Sequence, residues 1–536
     1  MKSRGRFSRP VWGGCALVLA LAPALAATPF LPQPAKVGPE FAVNTYTTDS
    51  QQTSSVAMDS QGNFVVVWQS YNQINGTDIF GQRFDASGAK VGPEFRVNTY
   101  TTGDQSGPSV AINSNGDFVV VWQSYQLNGG DVFGQRFDST ATPRGSEFLV
   151  NTYTTSTQSH PNVSMDAAGN FVVVWTSYGQ LAAPFQGDIF GQRYNSSGTP
   201  LGSEFPINTY TTGDQLGAAV AVNDAGHFVV TWTDYSTPSQ HKIQAQRYDA
   251  SGSAVGSNFQ VDNGATTLNP VIPRVTLDAA DNVTMVWMSY LTPSGKGVLG
   301  QHFDSTGARV GPQFQANSYT GGFPIYPQVA AAAGGKFVVV WNDNRSGADD
   351  VWGRVYDRSG TAVTGEFLAN TYTTNAQRLP SIAARGTDQF VVSWDSYGQV
   401  AANDVFAQRF LATSDLFTVT PCRVIDTRNA TGPYGGPALS GGTVRTFVLG
   451  GQCGIPAGAS AVSLNVTVTQ STAAGDVRLF AGGSTIPLVS TLNYGAGQTR
   501  ANNATVTLGI GGDMTVRVDQ AGGTVQFIAD VNGYFQ

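Results

Sequence analysis

Seven tryptophans, Trp68, Trp122, Trp175, Trp232, Trp287, Trp341 and Trp394, recur at spacings of 54, 53, 57, 55, 54 and 53 residues. Each ends an apolar run, and each period carries four short runs of strand character. In the first full copy these are Ser54 to Asp59, Phe64 to Ser70, Asp78 to Asp85 and Val91 to Asn98, with hairpin-turn residues at Ser60-Gln61-Gly62-Asn63 and Ala86-Ser87-Gly88. Four antiparallel strands in a period of about 50 residues are the signature of a β-propeller blade.

Two features separate a closed ring from a string of small sandwiches. The runs Phe64 to Val67, Phe118 to Val121 and Phe337 to Val340 are apolar at every position, so both faces of that strand must be covered. The first strand of each unit is rich in small residues (Ala57, Ala111, Ser164, Ala221, Ala330 to Ala333), as a crowded axis requires. The chain also opens with an orphan fourth strand, Val37 to Asn44, and its last unit stops after a third strand, Asp404 to Phe410. Each end supplies what the other lacks. The expectation is an all-β fold: a seven-bladed propeller over residues 36–411, closed by the N-terminal strand, a linker over 412–419, and a C-terminal β-sandwich over 420–536.

A polar hexapeptide, VNTYTT, follows the fourth strand at Val43, Val97 and Val150, with near-copies at Ile207 and Ala369. This order places it on the rim that leads inward to the next blade. The functional reading is a ligand ring of Asn44, Tyr46, Asn98, Tyr100, Asn151, Tyr153, Asn208, Tyr210, Asn370 and Tyr372, since Tyr and Asn offer sugars flat apolar faces with donors and acceptors. The competing reading is geometric: Asn and Thr brace turns, and every copy of one unit needs the same turn. The Gln after the motif (Gln51, Gln105, Gln158, Gln215, Gln377) reads as a further brace.

The sixth unit is chemically distinct. Trp352 is out of register and stands among Asn342, Asp343, Arg345, Asp349 and Asp350, a set suited to acid–base work or to a solvated loop. Elsewhere Arg83, Arg136, Arg193, Arg247 and Arg409 near the end of the third strand, and Glu40, Glu94, Glu147, Glu204 and Glu366 on the fourth, suggest Arg–Glu contacts within a blade, with Glu40 meeting Arg409 at the closure. The four histidines occupy unrelated positions, and no zinc spacing, H-E-x-x-H or G-x-S-x-G motif occurs. No catalytic residue, metal or cofactor is expected from these signals.

Residues 1–26 read as a secretory signal: basic residues, an apolar run from about Cys15, and Ala24-Leu25-Ala26 as a cleavage site. Taking its four basic residues (Lys2, Arg4, Arg6, Arg9) from a net charge of −7 leaves about −11, which disfavours nucleic acid as a partner. No later stretch is apolar enough to span a membrane. Beyond the signal only Cys422 and Cys453 remain, an even pair that in an exported chain reads as a disulfide worth roughly 3 to 4 kcal/mol.

The segments Pro421 to Arg428, Cys453 to Ala457, Asn493 to Ala504 and Asp530 to Phe535 resemble a C-terminal module of exported and cell-surface bacterial proteins. The VNTYTT, FVVVW and DIFGQRF repeats likewise resemble exported bacterial propeller repeats. The resemblance implies an accessory surface-association module and carries no reaction. Three functions follow as expectations: an exported, non-enzymatic binding or adhesion protein recognising glycan or a surface protein; a polysaccharide-acting hydrolase or lyase with its site in the sixth blade's loops; or a structural surface component.

Overall fold

The computed structural model describes residues 33–535 apart from the short segments 75, 128, 182–185, 238–239, 265–268, 293–294, 320, 385–387, 401, 413–415, 457–458, 460, 483, 485 and 510–511. The leader expected over 1–26 lies outside the described residues. Apart from one turn of 3-10 helix at Ala333–Gly335, the regular structure is strand.

Residues 35–411 form seven four-stranded antiparallel sheets. The first sheet runs Gln51–Met58, Phe64–Tyr71, Thr77–Phe84 and Lys90–Arg96, each strand pairing with the next. The seventh is assembled from both ends of this region: Ala35–Ala42 pairs antiparallel with Asn403–Leu411, with Val37 opposite Arg409 and Phe41 opposite Ala407. Each innermost strand touches the innermost strands of the sheets before and after it, and that of the seventh touches that of the first. The result is a closed, propeller-like ring.

The continuous apolar runs are explained by this stacking. Because alternate side chains of a strand point to opposite faces, Val66 and Trp68 join a core with Val391 and Val405 of the seventh sheet, while Val65 and Val67 join one with Val120 and Trp122 of the second. All seven repeat tryptophans are essentially fully buried. Aromatic triads fasten the same interfaces: Phe95 of the first sheet tilts against Phe118 and Phe137 of the second, which stack 4.9 Å apart. Apolar burial of this kind is the main favourable term in folding.

The chain continues into two further antiparallel sheets. One contains Leu416–Asp426, Thr524–Phe535, Ala461–Thr469 and Arg500–Thr507; the other contains Val444–Val448, Asp513–Gln520, Gly475–Ala481 and Leu492–Tyr494. Both contribute to one core, in which Val462, Leu464, Val466 and Val468 alternate inward against Met514, Val516 and Val518. Leu416 starts the first of these strands, so structure begins inside the expected linker. Cys422 and Cys453 are joined in a disulfide.

Candidate functional site

The hexapeptide asparagines are interior struts. Asn98 is buried; its Nδ2 donates to Asp78 Oδ1 at 2.6 Å and to the Tyr100 carbonyl at 2.8 Å, while its Oδ1 accepts from the Ile79 amide at 2.7 Å. Asn44, Asn151, Asn208 and Asn370 repeat the arrangement with Asp404, Asp131, Asp188 and Asp350. Burial raises the pKa of Asp78, Asp131 and Asp350, opposed by the asparagine's hydrogen bond. These five asparagines therefore do not form the expected ligand ring, because backbone and carboxylate partners occupy them in the interior. The tyrosines differ among themselves. Tyr46, Tyr153 and Tyr372 donate their hydroxyls to the carbonyls of Asn72, Gly179 and Gly398, whereas Tyr100 and Tyr210 are 41% and 55% exposed.

The expected Arg–Glu contacts within a sheet are replaced by bonds between sheets. Glu94 accepts from the amide and hydroxyl of Thr45, and Glu147, Glu204 and Glu40 treat Thr99, Thr152 and Thr371 alike. Glu40 thus does not pair with Arg409. Arg409 donates to the Ala86 carbonyl of the first sheet, as Arg136 and Arg193 donate to Ser196 and Ala250 of the sheets that follow theirs. The carboxylate is drawn to two donors in the neighbouring turn, and the guanidinium to carbonyls that no other group satisfies.

The post-motif glutamines are also buried. Gln51, Gln105, Gln158, Gln215 and Gln377 accept from the indole N–H of Trp68, Trp122, Trp175, Trp232 and Trp394 at 2.9–3.0 Å. In the sixth sheet Pro324 stands at this position, and the Trp341 indole N–H is buried without a partner. The carboxylates of that sheet are paired internally, although Asn342, one oxygen of Asp343 and the Trp352 indole N–H are buried without a hydrogen-bond partner among the described residues. Arg345 binds Asp343 and Glu366 and lies 4.3 Å over the Trp352 ring; Asp349 pairs with Arg378; buried Asp350 accepts from Ser346 and Asn370. None of Asp349, Asp350 and Trp352 lines the basin on the ring axis.

That basin is where the seven sheets converge. Two residues after each brace position the innermost strand bulges, and the bulged residue has a left-handed backbone: Thr53 (φ 58°), Gly107 (59°), His160 (54°), Gly217 (68°), Ile272 (56°), Tyr326 (53°) and Leu379 (50°). Five of the seven are not glycine, and each such residue costs about 1–2 kcal/mol. All seven line one basin of about 480 Å³. Bulges re-aim side chains, and here they crown the mouth with a different group from each sheet.

The electrostatics of the mouth are one-sided. Arg274 enters the basin with its Nε on Gln328 Oε1 at 3.2 Å and an Nη on the Pro273 carbonyl at 2.8 Å, and it has no carboxylate partner among the described residues. Burial lowers its pKa to about 10, which leaves it a cation at neutral pH. His160 is exposed at the mouth; partial desolvation there, and secondarily the Arg274 charge, pushes its pKa down, so its imidazole is neutral at neutral pH, with Nδ1 3.0 Å from Ser159 Oγ. Tyr178 and Tyr235 line the wall, and burial raises both phenols so that they keep their protons. Among the described residues no Asp or Glu lines the basin. Behind the wall, fully buried Asp395 accepts from the Thr53 amide at 2.8 Å; burial raises its pKa to about 7.

Sequence reasoning missed this mouth. Two of its wall residues, Tyr178 and Tyr235, follow their repeat tryptophans by three residues, and Tyr71, Tyr125, Tyr290 and Tyr397 hold the same sequence position in other units, with Asn344 in the sixth. That W-x-x-Y recurrence was a readable signal.

No protein-family model matches the chain, and no curated protein matches it. Among solved structures, it is similar to a protein of unknown function from Dyadobacter fermentans (9% identity, TM-score 0.45, covering 71% of this chain and all of that one). It is also similar to a polysaccharide lyase, an ulvan lyase (11%, 0.44, 70% and 95%), and to an α-L-arabinanase from Penicillium chrysogenum (12%, 0.39, 56% and 92%).

Proposed function

We propose that this is an exported glycan-acting protein: a seven-bladed β-propeller closed by its N-terminal strand, whose axial mouth takes an acidic polysaccharide, followed by a C-terminal β-sandwich that holds it at the cell surface. The observation that carries this reading is the basin itself, in which, among the described residues, Arg274 stands without a carboxylate partner amid tyrosines and hydroxyls and no acid lines the wall. A half-buried cation with no carboxylate partner among the described residues favours an anionic ligand, and tyrosine faces suit pyranose rings. On this reading the leader of residues 1–26 directs export, and the partner is glycan, with no nucleic acid.

The test is retention of the full mature chain on immobilised polygalacturonate, chondroitin sulfate and dextran sulfate, with neutral dextran as control. Salt-sensitive retention on the acidic polymers that Arg274→Ala abolishes is expected. Equal retention on neutral dextran, or retention unchanged in Arg274→Ala, would refute the assignment.

Turnover is a second reading, favoured by neutral His160 beside Arg274. Arg274 would screen a uronate carboxylate and make its C5 proton more acidic; His160 would remove that proton. The C5–H electron pair would form the C4=C5 bond as the C4–O bond broke, and a protonated wall tyrosine, Tyr178 or Tyr235, would supply the proton to the departing oxygen. The unsaturated product absorbs in the ultraviolet. Absorbance growth with polygalacturonate or chondroitin sulfate, lost in His160→Ala, marks this lyase chemistry; acidic-polymer retention without it marks the binding or adhesion protein, and neither marks a structural component.

A further inference from the structure

The wall tyrosines do not stop at the mouth. Tyr235 lines the basin, and Tyr290 holds the same position, three residues after the repeat tryptophan, in the next unit. Tyr290 is 42% exposed and Phe323 43% exposed, and between them stands Lys296, its Nζ 5.2 Å from both ring centroids. Lys296 has no carboxylate partner among the described residues, so its charge is compensated only by two ring faces. Such contacts are worth about 0.5–1 kcal/mol at exposed sites, too little to account for holding two large apolar rings in water.

The backbone explains the placement. Tyr290 and Lys296 stand opposite each other on the adjacent strands Val283–Thr292 and Gly295–Phe303. Phe323 comes from the Gly321-Gly322 turn of the sixth unit, three residues before Tyr326, which is itself in the basin wall. Gly322 packs so close to Asp343 that a Cβ there would clash with its carboxylate, which fixes where the turn brings Phe323.

We propose that Tyr290, Lys296 and Phe323 form an outer subsite for a further acidic sugar unit, beyond the span of a disaccharide, of the polysaccharide whose inner unit sits at Arg274. A pyranose ring stacks on the exposed aromatic faces while its carboxylate or sulfate meets the ammonium. The turn that carries Phe323 runs on into Tyr326 of the basin wall, and this sets the direction of the polymer, outward across the fifth and sixth sheets. This inference rests on the mouth reading, and a length series separates the two.

The test uses the full mature chain with size-fractionated disaccharides and octasaccharides from polygalacturonate and chondroitin sulfate, measured by calorimetry. Lys296→Gln and Tyr290→Ala should weaken the octasaccharide about tenfold and leave the disaccharide unchanged, while Arg274→Ala weakens both. Thermal unfolding of Lys296→Gln should match the parent, since the residue is partly exposed and pairs with no acid. Octasaccharide affinity unchanged in both outer variants but lost in Arg274→Ala would overturn the outer subsite and leave the mouth. Indifference of both oligosaccharides to Arg274→Ala would overturn the mouth and the subsite together.

Discussion

Asn98 shows how narrowly one side chain can be specified. It donates twice and accepts once in a buried site, and only a primary amide of that length does both. The repeats contain their own control. In the fourth unit Asp262 replaces the asparagine, and Lys242 replaces the aspartate that opens the third strand in five of the other units. Asn98→Asp should therefore bring two buried carboxylates together and cost about 3 kcal/mol or more; adding Asp78→Lys should recover most of the loss in thermal unfolding. Gln105→Ala strips the acceptor from the Trp122 indole and should cost about 1–3 kcal/mol, lowering the melting temperature without weakening acidic-polymer retention.

At the scale of elements, the bulged inner strands join the mouth to the stability of the ring. Asp395 sits in the strand Gln389–Tyr397 and holds the Thr53 amide of the first sheet. Its folded pKa of about 7 lies above the 3.8 of a free side chain, so the folded chain binds the extra proton between those values. Its contribution is whole below pH 4 and is lost as pH rises toward 7, by at most about 4 kcal/mol. Asp395→Asn keeps the acceptor and discards the charge; chemical denaturation from pH 4 to pH 8 should show a flatter profile, with the variant the more stable at pH 8.

The strands themselves were legible because double-sided burial leaves runs such as FVVVW, and the end strands were legible as complementary halves. The inter-sheet bonds were not, since an Arg and a Glu adjacent in a strand pattern can each face a different neighbour. The mouth was least legible of all. Its seven positions read Thr, Gly, His, Gly, Ile, Tyr and Leu, so the feature they share is a backbone angle that leaves no common letter, while the most repetitive letters, Asn and Gln, turned out to be interior scaffolding.

For the whole molecule, the seam between Ala35–Ala42 and Asn403–Leu411 governs integrity. Deleting residues 33–42 should expose the edge of the seventh sheet and the rings of Phe64 and Phe84, against which Phe41 packs. The expected outcome is a lower melting temperature with concentration-dependent association in light scattering; an unchanged monomer would contradict the role of the seam.

The same seam imposes an order on biogenesis. Gln408 bonds the Gly38 carbonyl across 370 residues of intervening chain, so the earliest part of this strand to be synthesised must wait, unpartnered, until nearly the whole circle has emerged. Contacts so distant in sequence slow folding, and an unpaired strand edge kept waiting is open to wrong partners. A circularly permuted chain that begins at Gln51 and carries residues 33–50 after Leu411 would make the seam local, and should refold faster than the parent to the same final stability.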